Sequence, residues 1–166
     1  MKTRKLRKLE VSAVGMGCMG FTHGYGACPT EEESIRLIHK SFDLGCTFFD
    51  TAEIYSAYGN ELLVGKALKP IRDKVVLSSK VHPAVLPGQD FPEGKMSRRG
   101  IRSALEGSLR RLQTDHLDLY YAHRVPQDID VEELARVFGE LIHRKARYWA
   151  GGYRKPRQNK SAKRMP

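Results

Sequence analysis

Short apolar runs alternate with longer stretches of helical periodicity along most of this chain. Val11–Gly17 is small, apolar and punctuated by glycine. From Thr30 to Gly45, the residues Ile35, Leu37, Ile38, Phe42 and Leu44 fall near helical spacing. Thr30 is suited to cap that helix, Glu33 completes a capping box, and Gly45 supplies a C-terminal stop. Thr47–Asp50 is a short aromatic run ending in a charge, which predicts a strand. Asn60–Leu68 predicts a short helix, and Lys74–Lys80, apolar through Val75, Val76 and Leu77, predicts another strand. Ser97 caps a helix running to Leu112, with Ile101, Leu105, Leu109 and Leu112 on one face. Leu117–Ala122 predicts the next strand and Val131–Ile142 the next helix.

The pattern is a β-α unit repeated four times. Parallel strands need crossover helices, so the pattern implies an α/β fold of parallel (β/α) units. Two architectures compete: a doubly wound open sheet and a TIM barrel. Gly15-Met16-Gly17-Cys18-Met19-Gly20 fits the G-x-G-x-x-G pattern of the doubly wound sheet. The match is weak, because no acidic residue closes a strand about 20 residues later to hold a ribose.

Charge alters the picture less than its total suggests. The net charge is +10, which invites a nucleic-acid reading. Residues 1–8 hold five Lys/Arg and residues 141–166 hold nine, both without an acid, so the body between them carries more acids than bases. A basic face built into the fold would not divide this way, and no nucleic-acid partner is expected. Cys18, Cys28 and Cys46 show no CxxC metal spacing, and we expect them to be reduced, buried or half-buried residues. No apolar run approaches about 18 residues and the basic start leads into no long apolar segment. The expected setting is cytoplasmic, with no metal and no membrane partner.

In either architecture, ligands bind at the C-terminal ends of the strands. Asp50 closes the second strand with Tyr55 just beyond, Lys80 closes the third, and His123 follows the fourth. A phenol titrates near 10 and is a poor proton donor at neutral pH. An ammonium beside it stabilises the phenolate, an aspartate can hold that ammonium charged and in place, and an imidazole can orient a carbonyl. Such a set suits a carbonyl that receives hydride and needs an acid for its developing alkoxide. His23, His39, His82, His116 and His143 have no comparable setting and are read as surface or structural. Arg98-Arg99 and Arg110-Arg111 are read as solvated helix faces.

Four segments, in order, resemble the aldo-keto reductase family. Phe48-Phe49-Asp50-Thr51-Ala52-Glu53-Ile54-Tyr55 is similar to the motif around the family's catalytic aspartate and tyrosine. Glu61-Leu62-Leu63-Val64-Gly65-Lys66-Ala67-Leu68 resembles the helix that follows it, and Val76-Leu77-Ser78-Ser79-Lys80 the strand carrying the family lysine. Leu109-Arg110-Arg111-Leu112, Asp115 and Leu117-Asp118-Leu119-Tyr120-Tyr121 lead to His123 as in the family. The opening Gly15–Phe21 resembles the first barrel strand and its cofactor-side loop. The resemblance covers about Leu9 to Trp149 and implies NADP(H)-dependent reduction of an aldehyde or ketone. It makes Tyr55 the general acid, Lys80 its tuner, Asp50 the lysine's partner and His123 the substrate orienter. Gly20, Phe21 and Asp50 would meet the cofactor.

The family barrel has eight β/α units. Residues 1–149 therefore correspond to an incomplete TIM barrel of about four to five strands, with Arg147-Tyr148-Trp149 resembling the start of the fifth. Residues 150–166 are basic, lack apolar periodicity and are expected to be a disordered tail. Codons can be chosen for Gly152 through Pro166 so that reading from the third base gives Leu-Ser-Glu-Ala-Ser-Ala-Glu-Gln-Ile-Arg-Lys-Ala-His-Ala, which resembles the family's fifth-strand exit and next helix. We therefore expect a frameshift near residues 143–152, which the encoding DNA would reveal. The family's nicotinamide-stacking residue and 2′-phosphate pocket lie in later strands, so this fragment is expected to bind NADP(H) weakly and turn over little. A non-catalytic half-barrel with a scaffolding role is the alternative, and self-association through an open barrel edge is a possible partner mode.

Overall fold

The computed structural model describes residues 1–6, 8–24, 26–142 and 145–153. It opens with an antiparallel hairpin, β1 (Thr3–Leu6) and β2 (Leu9–Ser12), with Leu6 opposite Leu9. All four β1 residues are exposed, whereas β2 buries Leu9, Val11 and Ser12 against the body. Ser12 N donates to Thr47 Oγ1 at 3.0 Å, and Thr47 N donates to Ser12 Oγ at 2.9 Å. The hairpin thus closes the N-terminal end of the sheet, opposite the strand ends where ligands bind.

The one strand expected over Val11–Gly17 is therefore two. Ser12 Oγ donates to Val14 O at 2.7 Å and turns the chain after β2. The chain then passes Gly15, where a Cβ would meet the Phe48 ring at 2.9 Å, and resumes as β3 (Met16–Gly17). Parallel to β3 stand β4 (Phe48–Asp50), β5 (Val76–Val81), β6 (Leu117–Arg124) and β7 (Ala146–Tyr153). They pair strictly in chain order, β3-β4-β5-β6-β7. A doubly wound sheet reverses its order at a switch point, whereas a barrel adds strands in one direction. The order decides for an incomplete TIM barrel. β7 runs on to Tyr153, past the expected domain end at Trp149. The rest of the expected tail, and His143, lie outside the described residues.

The helices α1 (Glu31–Asp43), α2 (Gly59–Leu68), α3 (Arg98–Arg111) and α4 (Val131–Ile142) follow strands β3 to β6 in turn. Thr30 and Glu33 form the expected capping box on α1, and Gly45 leaves it at φ +91°. Ser97 Oγ accepts from Gly100 N to cap α3. A 3-10 segment, Lys69–Lys74, extends α2 past Leu68 with Pro70 in its first turn. Phe49, Val64, Leu68, Leu77, Ile101, Leu105, Leu117, Tyr120 and Phe138 fill the layer between sheet and helices.

Two ion pairs tie this layer together. Arg111 Nε donates to Glu61 Oε2 at 2.6 Å, and its guanidinium lies 4.2 Å from the centre of the Tyr58 ring. Arg111 is therefore not a solvated helix-face residue as its sequence suggested. Helices α2 and α3 pack so closely that a Cβ on Gly65 would lie 2.5 Å from Arg111 O, which brings the side chain onto buried Glu61. Asp118 on β6 accepts from Arg72 Nη2 at 2.8 Å and from Leu77 N at 3.0 Å.

Candidate active site

Asp50 ends β4, while Lys80 and His123 are the penultimate residues of β5 and β6. All three therefore stand at the C-terminal rim of the sheet. Lys80 Nζ has three neighbours: Asp50 Oδ2 at 2.5 Å, Thr51 O at 2.8 Å and Tyr55 Oη at 3.4 Å. An ammonium has three donors, so this arrangement can use all of them. Asp50 is fixed from its other oxygen, since Ser78 Oγ donates to Oδ1 at 2.6 Å.

Tyr55 comes from the loop after β4, and the next three residues are left-handed: Ser56 at φ 51°, Ala57 at φ 44° and Tyr58 at φ 82°. Each costs a non-glycine residue on the order of 1 kcal/mol. The loop is held against that cost. Tyr58 N donates to Glu53 O at 3.0 Å, and Ser56 Oγ donates to Thr22 O at 2.5 Å.

His123 meets the Tyr55 ring edge-to-face, with centroids 5.7 Å apart and planes at 89°. On its other side lies His82, at 5.3 Å and 84°. His123 Nδ1 is buried with no partner among the described residues. Burial, the Lys80 ammonium, His82 and Arg124 push His123 down to about 4, against the opposing pull of Asp50. The ring is therefore neutral at neutral pH. A proton on Nδ1 would have no acceptor, so the tautomer with the proton on Nε2 is favoured.

Gly20 and Phe21 lie in a 3-10 turn, Met19–Phe21, directly after β3, and both are half-buried. Their loop is joined to the tetrad. Cys18 N donates to Asp50 O at 2.8 Å, and buried Asn60 donates through Nδ2 to Cys18 O at 2.9 Å and Thr22 Oγ1 at 2.8 Å. Asn60 Oδ1 also accepts from Thr51 Oγ1 at 2.6 Å. The structure thus brings Asp50, Tyr55, Lys80 and His123 together, with Gly20 and Phe21 on the adjoining loop, where Phe21 lines a groove with Ser34, Gly59 and Leu63. The Cys18 thiol is buried and pushed up to about 12, chiefly by burial, so it is inert in this setting. Cys46 is also buried, but Cys28 is exposed, contrary to expectation, because it stands in the open loop ahead of α1.

The sequence reading missed His82, Ser78, Asn60 and Glu53. His82, one of the histidines read as surface or structural, packs its ring on His123. The available signal was proximity, since His82 stands two residues after Lys80 on a strand exit. Ser78 carried a fainter one, as a hydroxyl within an otherwise apolar strand. His39 fits the structural reading: its Nε2 lies 2.7 Å from Ala67 O between α1 and α2.

The aldo/keto reductase family model matches residues 13–162. A soybean (Glycine max) protein described as probable aldo-keto reductase 1 is 42% identical over 136 residues, spanning 80% of this chain and 38% of the relative. The holo form of aldo-keto reductase AKR11C1 from Bacillus halodurans superimposes with a TM-score of 0.79 at 36% identity, covering 93% of this chain and 50% of that one. An aldo-keto reductase from Klebsiella pneumoniae in complex with NADPH gives a TM-score of 0.74 at 32% identity, covering 91% and 50%. The chain spans half or less of the length of each of these relatives.

Proposed function

This chain belongs to the aldo/keto reductase family, and on that premise we propose that it carries the proton-donating half of an NADP(H)-dependent carbonyl reductase site. The observation that carries this reading is the Lys80 ammonium, set between Asp50 and the Tyr55 hydroxyl at the strand ends. Tyr55 gives its proton to the oxygen of a bound aldehyde or ketone. The phenolate left behind faces Lys80, whose charge stabilises it, and Asp50 with Thr51 O keeps Lys80 aimed there. Neutral His123 donates from Nε2 to the same carbonyl oxygen and orients it. The nicotinamide, when bound, supplies the hydride. Gly20 and Phe21, on the loop tied to Asp50, together with Asp50 itself, are the residues on this chain that would meet the cofactor. The relative crystallised with NADPH supports that cofactor choice.

Two measurements test the reading. NADPH titration of the purified chain is expected to show binding weaker than micromolar and little turnover; micromolar affinity would overturn the expectation of weak binding. Residues 1–149 joined to the C-terminal half of a family barrel should form a chimera that reduces simple aldehydes with NADPH. Tyr55→Phe in that chimera should lower kcat by about 10²–10⁴-fold, the usual contribution of a positioned general acid. An unchanged kcat would remove Tyr55 from its role. A chimera that binds NADPH and reduces nothing would favour the non-catalytic half-barrel. Self-association through the β3 and β7 edges is read by sedimentation of the same chain. Sequencing the DNA beyond codon 149 tests the frameshift.

A further inference from the structure

We infer that His82 is a positioning residue for His123, which it holds edge-on against Tyr55 from the outer side of the site. The proposal rests on the reading of His123 as the orienter of the substrate carbonyl. The geometry begins with the His123 ring, which has an aromatic neighbour on two sides, Tyr55 at 5.7 Å and His82 at 5.3 Å, both nearly perpendicular to it. The buried Nδ1 of that ring has no hydrogen bond among the described residues to fix it. The orientation of His123 therefore depends on packing alone, and packing requires that its neighbours be fixed.

His82 is fixed from its backbone and its ring. Its backbone N donates to Glu53 Oε1 at 3.0 Å, and its Nδ1 accepts from Ala84 N at 3.1 Å. Glu53 lies two residues before Tyr55, on the same loop. Its carboxylate is fully buried and pairs with the equally buried Lys95 Nζ at 3.3 Å. Lys95 Nζ in turn donates to Gln89 Oε1 at 2.6 Å, and Leu86 N donates to the same oxygen at 3.0 Å. A single buried carboxylate thus braces the segment after β5 against the loop that carries the tyrosine. Tyr55, His82 and His123 are held as one block of three rings.

The groups that face His123 are Tyr55 and Asp50 from β4 and its loop, Lys80 from β5, His82 from the segment just after it, and Arg124 from β6. Lys80, His82 and Arg124 oppose a positive charge on the ring, and Asp50 alone favours it. His82 is itself pushed down by burial, Arg124 and Lys95, so at neutral pH it sits beside His123 as a neutral ring, and its charge opposes that of His123 only at lower pH. At neutral pH its contribution is enclosure. With water kept from that side, His123 stays neutral and acts as a hydrogen-bond donor, not as a second acid competing with Tyr55.

The test is an NMR titration of the histidine rings in the full chain without cofactor, using long-range proton–nitrogen correlations, with contacts between rings read by NOE. In the parent chain His123 should titrate at about 4. His82→Ala should move that midpoint up toward the ordinary value near 6.5 and weaken the Tyr55–His123 contacts. His82→Gln should move it the same way. His82→Phe, which keeps the enclosing ring but not its charge, should leave the contacts intact and the midpoint below that of the alanine variant. The proposal is overturned if the alanine or glutamine variant keeps the parent midpoint and contacts, or if the phenylalanine variant loses the contacts. Should the alanine variant not fold, the glutamine and phenylalanine variants decide between the same outcomes. None of these readings needs turnover, so the positioning role can fail while Tyr55 remains the acid. Failure of the Tyr55→Phe chimera test would instead strike the catalytic reading.

Discussion

Replacing Gly65 and Gly139 by alanine sets two chemically identical changes against each other. Both glycines lie inside helices, where Ala is favoured over Gly by about 1 kcal/mol. At Gly139 in α4, a new Cβ would meet nothing within 4 Å. That substitution should therefore stabilise the chain by about 0.5–1 kcal/mol. At Gly65 the same atom would lie 2.5 Å from Arg111 O, 2.6 Å from Leu112 Cα and 2.8 Å from Leu112 C. All three are backbone atoms, so no side chain can swing aside, and α2 must move off α3 by about 1 Å to restore ordinary contact. Overpacking of this kind costs about 1–3 kcal/mol, and the shift also stretches the 2.6 Å Glu61–Arg111 contact. The clash outweighs the helix propensity, and Gly65→Ala should lose about 2 kcal/mol net. The two variants should then differ by about 3 kcal/mol, which separates their urea midpoints by at least about 1 M when the slope is unchanged. Denaturation followed by far-UV circular dichroism measures this directly. A Gly65→Ala chain as stable as the parent, or a Gly139→Ala chain that falls with it, would refute the reasoning.

Asp118→Ala removes the anion that serves Arg72 and the Leu77 backbone N–H, and should cost about 3–5 kcal/mol, read as a drop in Tm of about 10 °C or more. The double change Arg72→Met with Asp118→Leu should recover much of that loss; a single variant as stable as the parent would contradict the account. Protonation of His123 gives a pH signature. Above about 6.5 the ring is neutral in both folded and unfolded chains. As pH falls from 6.5 toward the folded midpoint of about 4, the unfolded chain takes up a proton that the folded one refuses. Stability is therefore present above 6.5 and lost across that window, by about 1–2 kcal/mol after allowance for the ring's partial exposure. His82, pushed down for similar reasons, adds a loss of the same sign. His123→Gln should flatten the chemical-denaturation profile across this range, and an unaltered slope would exclude His123 as its source.

Much of the site was legible because strand ends are predictable from periodicity, and three of the four residues of the tetrad sit at strand ends. Asp50, Lys80 and His123 needed only the boundaries of three apolar runs. The barrel itself was not legible from periodicity, since a doubly wound sheet has the same alternation; strand order separates the two, and order is a tertiary fact. The β1–β2 hairpin escaped because β1 exposes every residue and shows no alternation. Arg111 escaped for a different reason. It looks like its neighbour Arg110 in sequence, and only the close approach of α2 turns one of the two onto a buried glutamate. Glu53 reads as an ordinary polar loop residue and Asn60 as the polar start of a short helix, because burial created by distant segments leaves no mark on the local pattern.

Asn60 bears on how this scaffold can be altered. Its amide grips Cys18 O and Thr22 Oγ1 on the loop ahead of α1, while its carbonyl takes the hydroxyl of Thr51, whose own backbone oxygen holds Lys80. Three successive hydrogen bonds thus link the loop assigned to the cofactor to the ammonium assigned to the acid. Transplanting that loop from another barrel without matching Asn60 and Thr51 would disturb the proton donor as well as the cofactor contact. The segment after β5 is no freer, because Glu53, Lys95 and Gln89 brace it against the loop that carries Tyr55.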